Sequence, residues 1–218
     1  MTGAPASLDH LVVAADGLDR GAAWVEARLG VTPSGGGRHP DMGTHNRVLK
    51  LGTGRYLEVI AVDPQAPRPA FPRWFGLDDP AMQARLATRP RLVAWVARTP
   101  HLDTLAEKVY GRPVRVQAMR RGGLRWRFAF TRDGSLPGGG LLPHLIQWQA
   151  PAHPSADMPE SGCTLLGLEG AHPHPEKLRS AVSLAGVDEV ITIFAASARR
   201  PPGLRARMQT PRGTAFLD

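Results

Sequence analysis

The sequence predicts an α+β protein built by duplication: two βαβββ units in tandem, then a partial third unit of βαβ type. Three observations predict it. The order strand, helix, strand, strand, strand is legible twice. Leu18-Asp19 and Leu102-Asp103 head equivalent helices, a repeat of about 84 residues. Glycine and proline number 24 and 21 in 218 residues, which favours many short elements joined by tight turns.

In the first unit, residues 8–14 (LDHLVVA) carry a β-rich pattern. Leu18, Ala22, Val25 and Leu29 then fall at helical spacing, and Gly30 stops the helix. Val31 and Thr32 are expected to start a strand, and residues 33–43 are expected as loop. Residues 46–51 and 55–62 predict two strands joined through Gly52-Thr53-Gly54. A proline-rich connection follows, with six prolines from Pro64 to Pro90 and a short helix at 79–87 capped by Asp78 or Asp79. The second unit repeats the first: a strand at 92–97, a helix ending at Gly111, and strands at 114–119, 124–131 and 141–148. Trp126, Phe128 and Phe130 alternate with Arg125 and Arg127, the period of a half-buried strand. After a polar linker at 151–162, residues 164–170, 175–185 and 190–195 read as strand, helix and strand, with a hairpin at 203–209 and 213–217. The organisation is thus a first module at 1–64, a connection at 65–90, a second module at 91–151 and a partial third unit at 163–218, expected to cap an edge strand or to contact a second subunit of a homodimer.

Composition excludes several classes. No apolar run reaches the ~18 residues of a membrane span. Residues 1–7 carry neither a positive charge nor a long apolar stretch, so a secretory leader is not expected and the cytoplasm is the default compartment. A single cysteine, Cys163, excludes an internal disulfide and a cysteine-rich zinc module; it reads as a small buried apolar residue. The formal net charge is +8, and only Lys50, Lys108 and Lys177 are lysines. The arginines are scattered singly, most densely over 199–212, and no helix-turn-helix, zinc finger or RNA platform accompanies them. The charge is therefore read as a solvated surface, and nucleic acid is set aside as a partner. Gly35-Gly36-Gly37 lacks the Lys-Ser/Thr and the context of a phosphate loop.

Two segments, GRHPDMGTHNRVLKLGTGRYLEVIAVDP (37–64) and LLPHLIQWQAP (141–151), together with the opening LDHLVVA strand, resemble the glyoxalase-like domain group of the vicinal oxygen chelate superfamily. The resemblance covers roughly residues 8 to 185. It implies paired βαβββ modules whose eight strands form an incomplete barrel around a cleft. It also implies a small oxygenated substrate, a divalent metal (Zn, Mn, Fe or Ni) acting as Lewis acid, and lyase or isomerase chemistry. A fold of this kind constrains architecture far better than reaction, and a metal-free protein that binds or sequesters a small molecule is the alternative.

The residues that would carry chemistry follow. His10 and Glu58 lie mid-strand among apolar neighbours, where a charged group needs a partner or a metal. An imidazole and a carboxylate together suit a borderline divalent ion. Carried across the repeat, His10 falls on Ala94, which cannot ligate, and Glu58 falls nearest His144. The metal set implied is His10, Glu58 and His144. His45, at the mouth of a strand in Gly43-Thr44-His45-Asn46, is expected as a proton shuttle or substrate binder, with Glu58 as the second catalytic residue, since imidazole titrates near neutrality. Asn46, Trp126 and Trp148 are expected to contact substrate. His39 is expected at the surface, as are His172 and His174.

Overall fold

The computed structural model describes residues 6–149 and 153–218. Residues 1–5, on which the expectation of no leader partly rests, and residues 150–152, where the polar linker was expected to begin, lie outside the described residues.

The first module runs β1 (Ser7–Ala14), α1 (Leu18–Leu29), β2 (Ser34–His39), β3 (Thr44–Lys50) and β4 (Tyr56–Val62). The connection contains α2 (Pro80–Thr88), and the second module runs β5 (Arg91–Arg98), α3 (Leu102–Tyr110), β6 (Val114–Arg121), β7 (Leu124–Thr131) and β8 (His144–Trp148). Their eight strands form one sheet in the order β2-β3-β4-β1-β5-β8-β7-β6. The duplication is written into its register. His10 pairs with Val96 and Val12 with Ala94 across the antiparallel β1–β5 centre, so each pair maps onto the other by the repeat.

Alternation gives every central strand two apolar faces. Leu11, Leu57, Trp95 and Leu145 point to the convex side, where Val25 and Leu29 of α1 and Leu102, Ala106 and Val109 of α3 cover them. Val12, Ala14, Ile60, Ala94, Phe128 and Ile146 point into the concave side. The segment expected as a loop at 33–43 contains β2, because Gly36 (φ +88°) lets the chain pass where a Cβ would collide with the Asn46 carbonyl oxygen.

The third unit is β9 (Thr164–His172), α4 (Pro175–Ala185), β10 (Ile191–Ala195), β11 (Gly203–Thr210) and β12 (Gly213–Leu217), with strands in the order β10-β9-β11-β12. Among the described residues it pairs with neither edge strand of the large sheet. Leu168, Val182, Ala206 and Met208 enter the convex core instead, with Cys163 buried among them. An extra layer is what a sheet with both faces apolar requires.

The proline-rich connection is no mere linker. Trp74, Phe75, Leu77, Met82 and Leu86 fill much of the concave face. Asp79 caps α2 by accepting from Ala81 N at 2.9 Å. Trp74 stacks on Phe130 and meets Phe128 edge-on, while Phe75 lies edge-on to both Phe128 and His144. Phe75 is the one non-glycine residue with positive φ among those described (φ 58°). A left-handed conformation costs a side-chain-bearing residue about 1–2 kcal/mol. The surroundings hold it there: Asp78 accepts from Arg73 N and from the Arg73 guanidinium at 2.8 and 2.6 Å, and Gly76 N donates to Gly134 O at 2.9 Å.

These opposing terms give an expected outcome. Phe75→Ala should lose about 3–5 kcal/mol of unfolding free energy by urea titration, the usual cost of emptying a core aromatic site. Phe75→Gly should be no less stable than Phe75→Ala, inverting the normal order, because glycine alone is at ease at this φ.

Candidate functional site

The site grows from the middle of β1. Regular alternation would send Asp9 to the face opposite His10. A register shift between Leu8 and His10 in the pairing with β5 breaks that alternation, as bulges beside functional sites do. Asp9 and His10 consequently meet: the Asp9 carboxylate accepts from His10 Nδ1 at 2.7 Å. The second Asp9 oxygen accepts from Trp148 Nε1 at 2.8 Å and from His153 Nε2 at 3.1 Å, with the Arg98 guanidinium 3.6 Å away. Asp9 has no solvent exposure at all. Burial pushes its carboxyl pKa up, but the hydrogen bonds from His10 and His153 outweigh burial and hold it well below the ordinary carboxylate range. With Nδ1–H given to Asp9, His10 presents Nε2 to the concave side, and Tyr56 stacks on its ring at 4.5 Å between centroids.

His10 Nε2 faces Glu58 Oε2 at 3.6 Å. That is beyond a direct hydrogen bond and short enough for one bridging atom to touch both. The other Glu58 oxygen accepts from Asn46 Nδ2 at 2.5 Å. The Asn46 orientation is fixed, since its oxygen accepts from Gly37 N at 2.8 Å and from Arg121 Nη1 at 3.1 Å. Arg121 Nη1 also donates to His39 Nε2 at 3.1 Å, leaving His39 Nδ1 to the Thr44 hydroxyl at 3.2 Å. Burial, and then the Arg121 charge, push the His39 pKa down to about 3, so His39 is a neutral acceptor for the guanidinium.

Arg121 stands at the end of β6, the sheet edge opposite β2, and the two edges come into contact there. Its side chain therefore closes the barrel that backbone pairing leaves open. Behind it lies a cavity of about 30 Å³ lined by His10, Asn46, Tyr56, Glu58 and the rings of Trp74, Trp126, Phe128 and Trp148, room for a water or one functional group. In front of it lies a hollow of about 280 Å³ that shares Arg121 and Leu124 with the inner cavity. The 153–161 strap covers that hollow, tied down by Lys50–Glu160 at 2.5 Å and by Gly54 N to Ser155 Oγ at 3.0 Å.

A family model described as a glyoxalase-like domain matches residues 8–185. The chain belongs to the glyoxalase-like domain family. Among solved structures, a hypothetical protein from Staphylococcus aureus is similar in fold, with a TM-score of 0.59 at 14% identity over 87% of this chain and 86% of that one. A methylmalonyl-CoA epimerase from Mycobacterium tuberculosis also matches, at 21% identity and a TM-score of 0.41 over 68% of this chain and 90% of that one. No curated protein matches the chain.

The glyoxalase-like fold brings together some of the residues singled out from sequence and separates others. His10, Glu58, Asn46, Trp126 and Trp148 line one cavity. His45 does not reach it. It alternates with Thr44 and Asn46 on β3, pairs with Ala61, and so belongs to the opposite face, its Nε2 buried without a hydrogen-bond partner among the described residues. His39, expected at the surface, is buried against Trp74 and Arg121. Asp9 and Arg121 were missed. Asp9 was masked by the alternation rule that its bulge suspends, and Arg121 by its distance along the chain from everything it touches. The one available signal was a second ionisable residue beside His10 in an otherwise apolar strand.

The register also settles the equivalent of Glu58. Glu58 pairs with Val12 and His144 with Val96, and Val12 and Val96 are related by the repeat. His144 nevertheless stays out of the cavity. Phe75 and Phe128 enclose it, and among the described residues neither ring nitrogen makes a well-formed hydrogen bond, the Ala129 backbone offering only a weak one. Burial, and then the His10 charge, push its pKa down to about 3. A divalent ion therefore finds two donor side chains here, His10 and Glu58, in a wall that is otherwise largely aromatic carbon. Among the described residues no three His, Cys, Asp or Glu side chains converge on one point, so the donor set does not fit a three-ligand centre with His144.

An unpartnered imidazole in a core is a cost that an apolar ring of like shape avoids. His144→Phe should raise stability at neutral pH by about 1–3 kcal/mol in denaturant titrations. The pH dependence has a definite sign. For a histidine whose folded pKa is depressed to about 3 from 6.5, the unfolded state takes the proton first, so stability is full above 6.5 and falls with acid down to about 3. Each of His39 and His144 should remove about 2 kcal/mol between pH 7 and pH 5. His144→Phe should flatten that slope by one histidine's share, whereas the Asp9 contribution is lost only below the ordinary carboxylate range.

Proposed function

We propose that this protein catalyses proton transfer at a carbon next to a carbonyl in a small, carboxylate-bearing metabolite, an isomerase- or lyase-type reaction in the cytoplasm. The observation that supports it most is the bridgeable gap between His10 Nε2 and Glu58 Oε2, with a buried carboxylate fixed behind the imidazole. Among the described residues no helix is long and apolar enough to cross a membrane.

The parts divide the work by chemistry. The Arg121 guanidinium stands between the outer hollow and the inner cavity, and its Nε and Nη2 make no hydrogen bond to the described residues; it would take the substrate carboxylate in a two-pronged pair. The carbonyl end then lies between His10 and Glu58. Glu58, held by Asn46, removes the proton from carbon, and the electron pair moves onto the carbonyl oxygen. Protonated His10 donates from Nε2 to that developing oxyanion, and the buried Asp9 stabilises the imidazolium, the role a buried carboxylate plays behind a catalytic histidine. In a hydroxy-carbonyl substrate, delivery of the Glu58 proton to the former carbonyl carbon, with the hydroxyl proton passing through His10, completes an isomerisation; collapse of the enolate with departure of a group from the neighbouring carbon, protonated by Glu58 as it leaves with the electron pair, completes an elimination. Trp126, Phe128 and Trp148 exclude water, which strengthens each of these interactions.

The test is proton exchange in D2O. A panel of small α- and β-oxygenated carboxylates is incubated with the protein, and loss of the C–H signal next to the carbonyl is followed by NMR. Glu58→Gln should slow exchange by about 10²–10⁴-fold with the fold unchanged; full exchange in that variant removes Glu58 from the mechanism. Binding without exchange by the unaltered protein supports sequestration instead. Arg121→Met should raise KM more than it lowers kcat, because the guanidinium grips a part of the substrate that does not react. Activity should persist in chelator. Loss on chelation with recovery on adding a divalent ion would replace this reading with a metal-assisted one.

A further inference from the structure

A second cleft lies between α2 and β5 on one side and β9, β11 and the 195–203 turn on the other, with a volume of about 930 Å³. Its walls carry seven arginines against two acidic side chains, Glu169 and Asp218. Arg89 alone among the seven has a carboxylate partner among the described residues, Asp218 at 3.0 Å. Arg85 and Arg91 approach from one wall and Arg199, Arg200 and Arg205 from the other, none paired with an acid. Arg91 Nε is buried without a hydrogen-bond partner among the described residues. Burial, and then the charges on Arg89 and Arg85, push the Arg91 pKa down against the opposing charge of Asp218. Between the walls the floor is apolar, with Val93, Leu141 and Leu204, and Phe216 lies partly exposed at the side with the Arg205 guanidinium 4.0 Å over its ring.

We propose that this cleft binds a small ligand carrying a polyphosphate chain, as an inorganic chain or as part of a nucleotide. Unpaired guanidiniums held on facing walls repel one another, and an anion placed between them turns that repulsion into paired, charge-assisted hydrogen bonds. One carboxylate would answer one or two forks; a chain of phosphates answers several along its length. The volume lies in the range of small-molecule sites. The concave form, with arginines on opposite walls and an apolar floor, suits an enclosed ligand better than the passage of a nucleic-acid strand.

The experiment is calorimetric titration of the whole protein with inorganic tripolyphosphate, with ATP, and with a short single-stranded oligonucleotide, at near-physiological ionic strength. Saturable binding of tripolyphosphate or ATP at one site per chain is expected, weakened at least about tenfold in an Arg200→Gln/Arg205→Gln variant and unchanged in Glu58→Gln. Equal affinities assign the inorganic chain, and tighter ATP assigns the nucleotide; both uphold the proposal. Both arginine side chains are exposed and unpaired with acids, so the variant should keep its melting temperature. Should it not, Arg199→Gln/Arg200→Gln, confined to the turn, must show the same weakening. No saturable binding of either probe, binding that survives the arginine variants, or an oligonucleotide bound more tightly than ATP overturns the proposal. Because Glu58→Gln leaves this cleft intact, failure here and failure of the proton-transfer reading are separate results.

Discussion

The structure of the site depends on one carboxylate kept ionised where no water reaches it. Asp9 sits without exposure in the central strand of an eight-stranded sheet, and a buried charge of this kind is tolerated only when its oxygens are fully engaged. Its partners come from every part that must be in place. His10 lies beside it, Trp148 ends β8, His153 opens the strap and Arg98 ends β5. Satisfying Asp9 therefore docks the second module and the strap onto the first, and as a by-product fixes the ring of His10. The requirement that stabilises the fold and the requirement that orients the imidazole are the same requirement.

The two modules have parted company around their common axis. In the first, His10 and Glu58 remain polar, bridged by Asn46 to Arg121. In the second, the positions related by the repeat are Ala94 and His144, and the connection turns Trp74 and Phe75 into the space they face. A half-barrel with an apolar concave wall must be filled by something. Here one half is filled by aromatic side chains of the chain itself, and the other keeps a small polar cavity. The left-handed Phe75 and the unpartnered His144 beneath it are the costs of that division.

Closure follows the same economy. The sheet edges at β2 and β6 meet through a side chain, with Arg121 reaching to His39 and Asn46. A guanidinium used as a latch leaves donors free for a ligand in a way that paired strands do not. It thereby places a cation between the outer hollow and the inner cavity.

Much of this was legible in the sequence, and the reason is local. The 84-residue repeat, the glycine stops after α1 and α3, the alternation of Trp126, Phe128 and Phe130, and the ionisable His10 and Glu58 each set among apolar neighbours in its own strand are all properties of neighbours along the chain or of its periodicity. Face assignment at β1 followed from period two until the bulge at Asp9 suspended it. What only the tertiary structure decided involves partners far apart in sequence: Arg121 with His39 and Asn46, His153 with Asp9, Phe75 over His144, and the exclusion of His45 from the cavity. Those contacts are set by how two sheet edges curl together and by what must fill the hollow between them, and neither quantity has a local signature in the order of the residues.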